Sequence, residues 1–600
     1  MKNIFIVIFV LFFSAQVFSQ SSSIFIPKEF QAAYDKSTRS NTGEPGKAYW
    51  QNRADYNITA EINPSEAKIT GSEEITYFNN SPDTLKSLVF HIYGNLYKKG
   101  SRSIMDISPE DLNDGVKIIS MRAGGNVYQP DEQNCNGTIL SVKLKKFIPP
   151  SSAEKIAFAW EILLPKKSWN KMGAYTPTDI FAGLWYPKVS VYDDIRKWDT
   201  EQYTGLAEFY NEYGNYDVKL ILPEGYVCWA TGELLNADKL FRNDIYERYN
   251  LAHKSDDIVH IITADDYNSG NITAPSSDCI WHFAAENVTD FAFGISNHFI
   301  FDGTSVNTGS KNVFVCAAYN PASIDFTEAA YLAKKSVKYY SETFTGVEYP
   351  YPQITVFNGD DGMEYPMIIN DGSFPSRGET VYVTSHEIHH QYFPFMVGTD
   401  ETRFGWMDES FAVYVPEKFQ DETEPSLNQQ QKQKYFYSKA GGYLNDIPLM
   451  VPSFNLTPEQ YFGTLYGKAE RAMVSLEALI GRNKMQQAFK TFITEWQGKH
   501  PTPYDFFFTV EKVCGRNLSW FWKKWYFDYS YVSYEVKSAV PASKGYLLTV
   551  VNKGGAPAPY TITVNFDDGS SEYFSFPPFR GDSADVEITT NKKYKSATVY

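Results

Sequence analysis

Three of the chain's nine histidines fall within five residues, HEIHH, His386 to His390. On a helix, residues four apart lie on one face, a turn above each other. His386 and His390 can then present two imidazoles to one point, with Glu387 close by and not itself a member of the pair. Two neutral ring nitrogens at that spacing suit zinc, and the carboxylate between them is placed to take a proton from the metal's water. After a gap of eighteen residues from His390 comes Glu409, inside GWMDESFAVYV, which also reads as a helix. It would complete three protein ligands and leave the fourth tetrahedral position to water, as a catalytic zinc requires. Taken alone, HEIHH also admits a bland reading as a solvated polar helix. Two further stretches weigh against that: DDGMEYP sets Glu364 on what reads as a strand edge, and YGKAERA sets Tyr466 and Lys468 at the start of a long amphipathic helix. His389 stands at the wrong phase to join the ligand pair and reads as a packing residue or a support for the ligands.

The elements that must hold these residues change along the chain. From about Tyr49 to Ala264, stretches such as YNITAEINPSEAKITGSEEITYFN alternate polar and apolar residues between turn clusters, the pattern of many short strands in a sandwich or saddle-shaped sheet. From WHFAAENVTDFAFGISNHF onward, IDFTEAAYLAKKSVKYYSETF and AERAMVSLEALIGRNKMQQAFKTFITEW carry apolar residues at helical spacing. Beyond Asp528 strands return, and the chain stops on one at SATVY, which reads as a small or incomplete domain. Pro394, four residues past His390, denies the His390 carbonyl its helical partner, so the motif helix is expected to end or kink there.

Composition sets the outer bounds. Six hundred residues, 43% hydrophobic and 21% charged, provide for about three domains with buried cores. A net charge of −16 argues against nucleic acid or an anionic membrane as partner. The first twenty residues, MKNIFIVIFVLFFSAQVFSQ, have the charged start, apolar run and small-residue end of a signal peptide, and the run is short of the roughly 20 residues that span a bilayer. The mature protein is expected to be exported, periplasmic or secreted, without a stable membrane anchor. Five scattered cysteines and no CxxC argue against a disulfide framework and favour small buried apolar residues.

Together these residues resemble the zinc metallo-aminopeptidases that include aminopeptidase N and leukotriene hydrolase. The match runs through HEIHH, the eighteen-residue gap, DESFA for the family's N-E-G-F-A, GMEY within its G-x-M-E-N motif, and YGKA for its Y-x-K-G. DFAFGISNHF is similar to the family's entry into the catalytic domain, and NLSWFWKKWYF to the end of that domain's helices. The resemblance implies one zinc per chain held by His386, His390 and Glu409. It implies Glu387 as general base and then general acid, and Tyr466 as hydrogen-bond donor to the oxyanion. It implies that Glu364, with Met363 and Gly362, meets the free α-ammonium of a peptide substrate. Asp361 and Tyr365 depart from the motif's first Gly and last Asn, and near GLWYPKVSVYDD no Gln or Glu stands out to share the amine.

The architecture expected is multidomain α+β. It comprises a signal peptide, 1–20, an extended lead-in, 21–48, and an N-terminal saddle-like β domain, 49–268. A thermolysin-like α/β catalytic domain follows, 269–528, and then a short C-terminal β-sandwich domain, 529–600. The reaction expected is hydrolysis of the N-terminal peptide bond. The alternatives are a zinc endopeptidase with weak or no need of a free N-terminus, and a non-catalytic peptide-binding homologue. Loss of Glu387 or of a ligand would favour the last, and none is lost.

Overall fold

Polar and apolar residues alternate in RADYNITAEIN because its strand, Arg53–Asn63, buries every second side chain against a core and leaves the rest at the surface. The computed structural model describes residues 24–129, 132–270, 272–274, 278–360 and 362–599; the expected signal peptide and Asp361 lie outside them. Arg53–Asn63 sits near the middle of an eight-stranded sheet, antiparallel to Lys68–Asn79 and parallel to Gly214–Ile221. Two four-stranded sheets, around Leu85–His91 and around Phe293–Ser296, complete this β region.

A six-stranded mixed sheet follows, running from Val259–Ile262 at one edge to Gly362–Tyr365 at the other. The sheets do not part at residue 268. Val259–Ile262 already belongs to the six-stranded sheet, while Ile280–Val288 and Phe293–Ser296 return to the β region. Strand texture reports a local pattern and not the partner, so the crossing-over of the chain leaves no mark in it. Against this sheet pack the helices Ala329–Tyr339 and Arg377–His389, followed by Trp406–Tyr414, Ala469–Ile480, Arg482–Trp496 and Pro503–Cys514. One hydrophobic core runs continuously through the β region and the helical region. The last segment stands apart, two three-stranded sheets closing a small core of their own around Leu548, Val550, Ile562 and Val564. This is the β-saddle, α/β and β-sandwich sequence that the strand and helix patterns predict.

The lead-in, expected to be extended, forms a helix over Lys28–Asp35 and is more than a spacer. Arg39 is buried and grips both carboxylate oxygens of Asp194, at 3.0 and 2.7 Å, while also donating to Asp505 at 3.0 Å and to the His500 carbonyl at 2.7 Å. No helix among the described residues is long and apolar enough to cross a membrane. Among the cysteines, Cys228, Cys316 and Cys514 are buried as expected, Cys279 is half-buried and Cys135 is exposed; none is in a disulfide.

Candidate active site

The motif helix, Arg377–His389, is rich in β-branched residues, carries a glycine in its first turn and would be marginal alone. Its surroundings hold it. Thr384 Oγ1 donates to Asp371 at 2.6 Å, the Tyr340 hydroxyl to the Ser385 carbonyl at 2.6 Å, and Gln420 Nε2 to Ser385 Oγ at 2.9 Å. The helix gives out at His390, and three residues on Phe393 is extended, with φ −138° and ψ 116°, just before Pro394. The expected break therefore occurs, and it has a use: the freed Phe393 carbonyl accepts from His390 Nδ1 at 2.9 Å. The Ala412 carbonyl, on the helix Trp406–Tyr414, does the same for His386 Nδ1 at 3.0 Å. With both Nδ1 atoms committed as donors, both Nε2 lone pairs face one point.

Glu409 arrives at that point from Trp406–Tyr414. Its Oε2 lies 3.3 Å from His386 Nε2 and 3.7 Å from His390 Nε2, and the two Nε2 atoms are 3.3 Å apart. Ligands about 2.0–2.1 Å from a tetrahedral zinc stand about 3.3 Å from one another. Glu409 Oε2 is buried and has no hydrogen-bond partner among the described residues, although its sister Oε1 accepts from the Tyr466 hydroxyl. Burial holds the His386 imidazole down at about 4 and that of His390 well below its ordinary value, so both are neutral, the form that binds metal. The donor set fits one zinc ion.

The remaining predicted residues gather around these three. Glu387 is buried, and its carboxyl is pushed up by burial and then by Glu364, Asp371 and Glu208. Tyr466 lies in the turn Phe462–Lys468, half-buried, its ring roughly parallel to that of His386 at 5.9 Å. Lys468 points away, into a buried ion pair with Asp446 at 2.6 Å. Gly362, Met363 and Glu364 lie on the edge strand, where a Cβ on Gly362 would collide with Glu387 Oε1. His389 takes no part in the donor set. It is buried among Tyr340, Tyr392 and Phe393, and burial drives it down to about 3.

Two residues that the sequence did not flag complete the cleft. Glu208, from the β region, brings a carboxylate oxygen within 4.8 Å of those of Glu364, Glu401 and Asp408. It is fixed by the Tyr461 hydroxyl at 2.9 Å and pairs with Lys171. This second carboxylate does not stand near GLWYPKVSVYDD but further on, in GLAEFYNEYGNYD, where one of three acidic residues among aromatics gives no local signal.

Residues 329–525 match the family model of the peptidase family M1 domain. A search of curated proteins returns no match. Among solved structures, the chain is similar to an M1 zinc metallopeptidase from Deinococcus radiodurans, at 12% identity and a TM-score of 0.53 over 79% of this chain and 95% of that one. A variant of the Deinococcus enzyme bound to a Tyr-Ser-Ala substrate matches at 12% identity and a TM-score of 0.51, over 81% of this chain and 97% of that one. Legionella pneumophila aminopeptidase A in complex with aspartic acid matches at 13% identity and 0.59, over 89% of this chain and 56% of that one. At such identities the likeness speaks for the fold.

Proposed function

We propose that this chain, whose residues 329–525 form a peptidase family M1 domain, is an exported zinc aminopeptidase that removes single residues from the free N-terminus of peptides. The observation that carries the reading is the pairing of a three-donor metal site with two buried carboxylates, Glu364 and Glu208, at one side of it. His386, His390 and Glu409 would hold the zinc, which, when bound, supplies a Lewis acid that polarises a carbonyl and acidifies a water. Glu387 takes the proton of the attacking water and returns it to the leaving amine, a role for which its place on the motif helix between the two histidine ligands suits it. Tyr466 donates a hydrogen bond to the oxyanion that forms as the peptide carbonyl is attacked. Glu364 and Glu208 face the α-ammonium, and a charge-assisted pair there anchors the chain end so that the first bond lies at the metal. The strand Gly362–Tyr365 is a sheet edge, along which an extended peptide can lie, with Gly362 leaving room for Glu387 and Met363 lining the amine end.

The ligands named for the neighbouring structures, a Tyr-Ser-Ala substrate and aspartic acid, support a site that takes a free amino terminus. Export rests on the first twenty residues and places the enzyme in the periplasm or the medium. The test is product analysis on an unblocked peptide of about six residues, with zinc and with a chelator. Release of one residue at a time, abolished by chelation, is expected. Internal cleavage would make it an endopeptidase, and no turnover with zinc restored would leave a peptide-binding protein.

A further inference from the structure

The pocket that faces the peptide's amino end already contains an ammonium group. Lys171 comes from the loop after the strand Ser152–Leu163, and its Nζ pairs with Glu208 Oε1 and lies 3.1 Å from Met363 Sδ. The Phe209 ring flanks it at 5.6 Å. The backbone at Lys171 has φ +62°, which a non-glycine residue seldom adopts, and the Tyr365 hydroxyl of the edge strand holds its carbonyl at 2.8 Å. This lysine is thus fixed in place by the same strand that carries Glu364. Its amine is buried, which pulls its pKa down, yet Glu208, Tyr203 and Glu364 raise it overall, so it stays charged. Glu208 has two oxygens, and both are taken, one by Lys171 and one by Tyr461.

We propose that Lys171 sets how strictly the enzyme requires a free amino terminus, by occupying the carboxylate of Glu208 that a substrate's α-ammonium would otherwise share with Glu364. An incoming ammonium then has Glu364 without Glu208 as a partner and meets a like charge beside it. An acylated terminus loses less, because its carbonyl can accept a hydrogen bond from the Lys171 ammonium. The substrate class therefore widens to peptides whose first amine is blocked or uncharged. This rests on the reading of Glu364 and Glu208 as the amine end of the cleft. That reading is tested by which bond is cut, and Lys171 by the preference between two substrates cut at the same bond.

The experiment uses the mature zinc enzyme and one tetrapeptide with either a free or an acetylated N-terminus. The wild-type ratio of kcat/KM, free over acetylated, is expected at or below about tenfold, since one charged partner is offset by a like charge. Lys171→Met and the polar Lys171→Gln are expected to raise that ratio about tenfold, through a lower KM for the free peptide with kcat held. Lys171→Arg keeps the charge and is expected to stay near wild type. A wild-type ratio clearly above tenfold overturns the proposal whether or not the variants fold. So does an unchanged or falling ratio in both uncharged variants, which would make Lys171 a support that aims Glu208 at the substrate.

Discussion

At the metal end of the cleft, His386, His390 and Glu409 come from one short stretch, two helices joined by the turn at Pro394. At the amine end, Lys171 and Glu208 come from the β region and Glu364 from the edge strand of the next sheet. The donors are set by helix geometry and by two carbonyl contacts, Ala412 and Phe393, that lie within the same stretch. The carboxylates meet only because two large pieces of the molecule are in register. In the proposed function, the chemistry of bond cleavage and the choice of chain end thus rest on different groups of residues, which meet at Asp408, the neighbour of Glu409 that borders Glu208 and Glu364.

Substitutions should separate the two ends, starting with the most severe. His386→Ala or Glu409→Ala should abolish activity and reduce metal content from about one zinc per chain to near zero, measured by elemental analysis of the purified protein. Full zinc retention in both variants would sink the ligand set. Glu387→Gln should keep zinc and fold while turnover drops by about 10²–10⁴-fold, because the amide is nearly isosteric but accepts no proton. A variant within a few-fold of wild type would remove Glu387 from the role of base. For Tyr466→Phe, kcat should fall by about 10²–10³-fold with KM little changed, the signature of a lost oxyanion donor. An effect confined to KM would move Tyr466 to binding. The smallest change belongs to the amine end. Glu364→Gln should leave kcat on an acetylated peptide close to wild type and bring the free-to-acetylated ratio from about tenfold towards one. If the acetylated peptide suffered equally, the two ends would not be independent after all.

The sequence revealed these two ends unequally, for a physical reason. A helical ligand pair is written in the spacing of the chain, so His386, Glu387 and His390 could be read with no knowledge of packing. Glu409 and Tyr466 followed from ordered motifs on helices of recognisable period. Glu208 and Lys171 could not be found this way. Their role comes from a tertiary meeting across the cleft, and neither spacing nor composition around them differs from any polar residue in an aromatic loop. The same limit governed the fold: alternation identified the strands of the β region, but not that Val259–Ile262 leaves it while Ile280–Val288 comes back.

Arg39 gives the lead-in a mechanical role. It holds Asp194 of the β region with two nitrogens and Asp505 of the helix Pro503–Cys514 with the third, so the segment before the first strand ties the β region to the helical region. Two acidic groups buried around one guanidinium cannot be left behind cheaply, since breaking such a pair typically costs about 3–5 kcal/mol. A chain trimmed to begin at the first strand would keep every metal ligand, Glu208 and Glu364, and would lose this tie between the two regions that carry them. It should still bind zinc, yet cleave free and acetylated peptides with ratios that drift with temperature. A steady ratio across a thermal series would show that the tie bears no load.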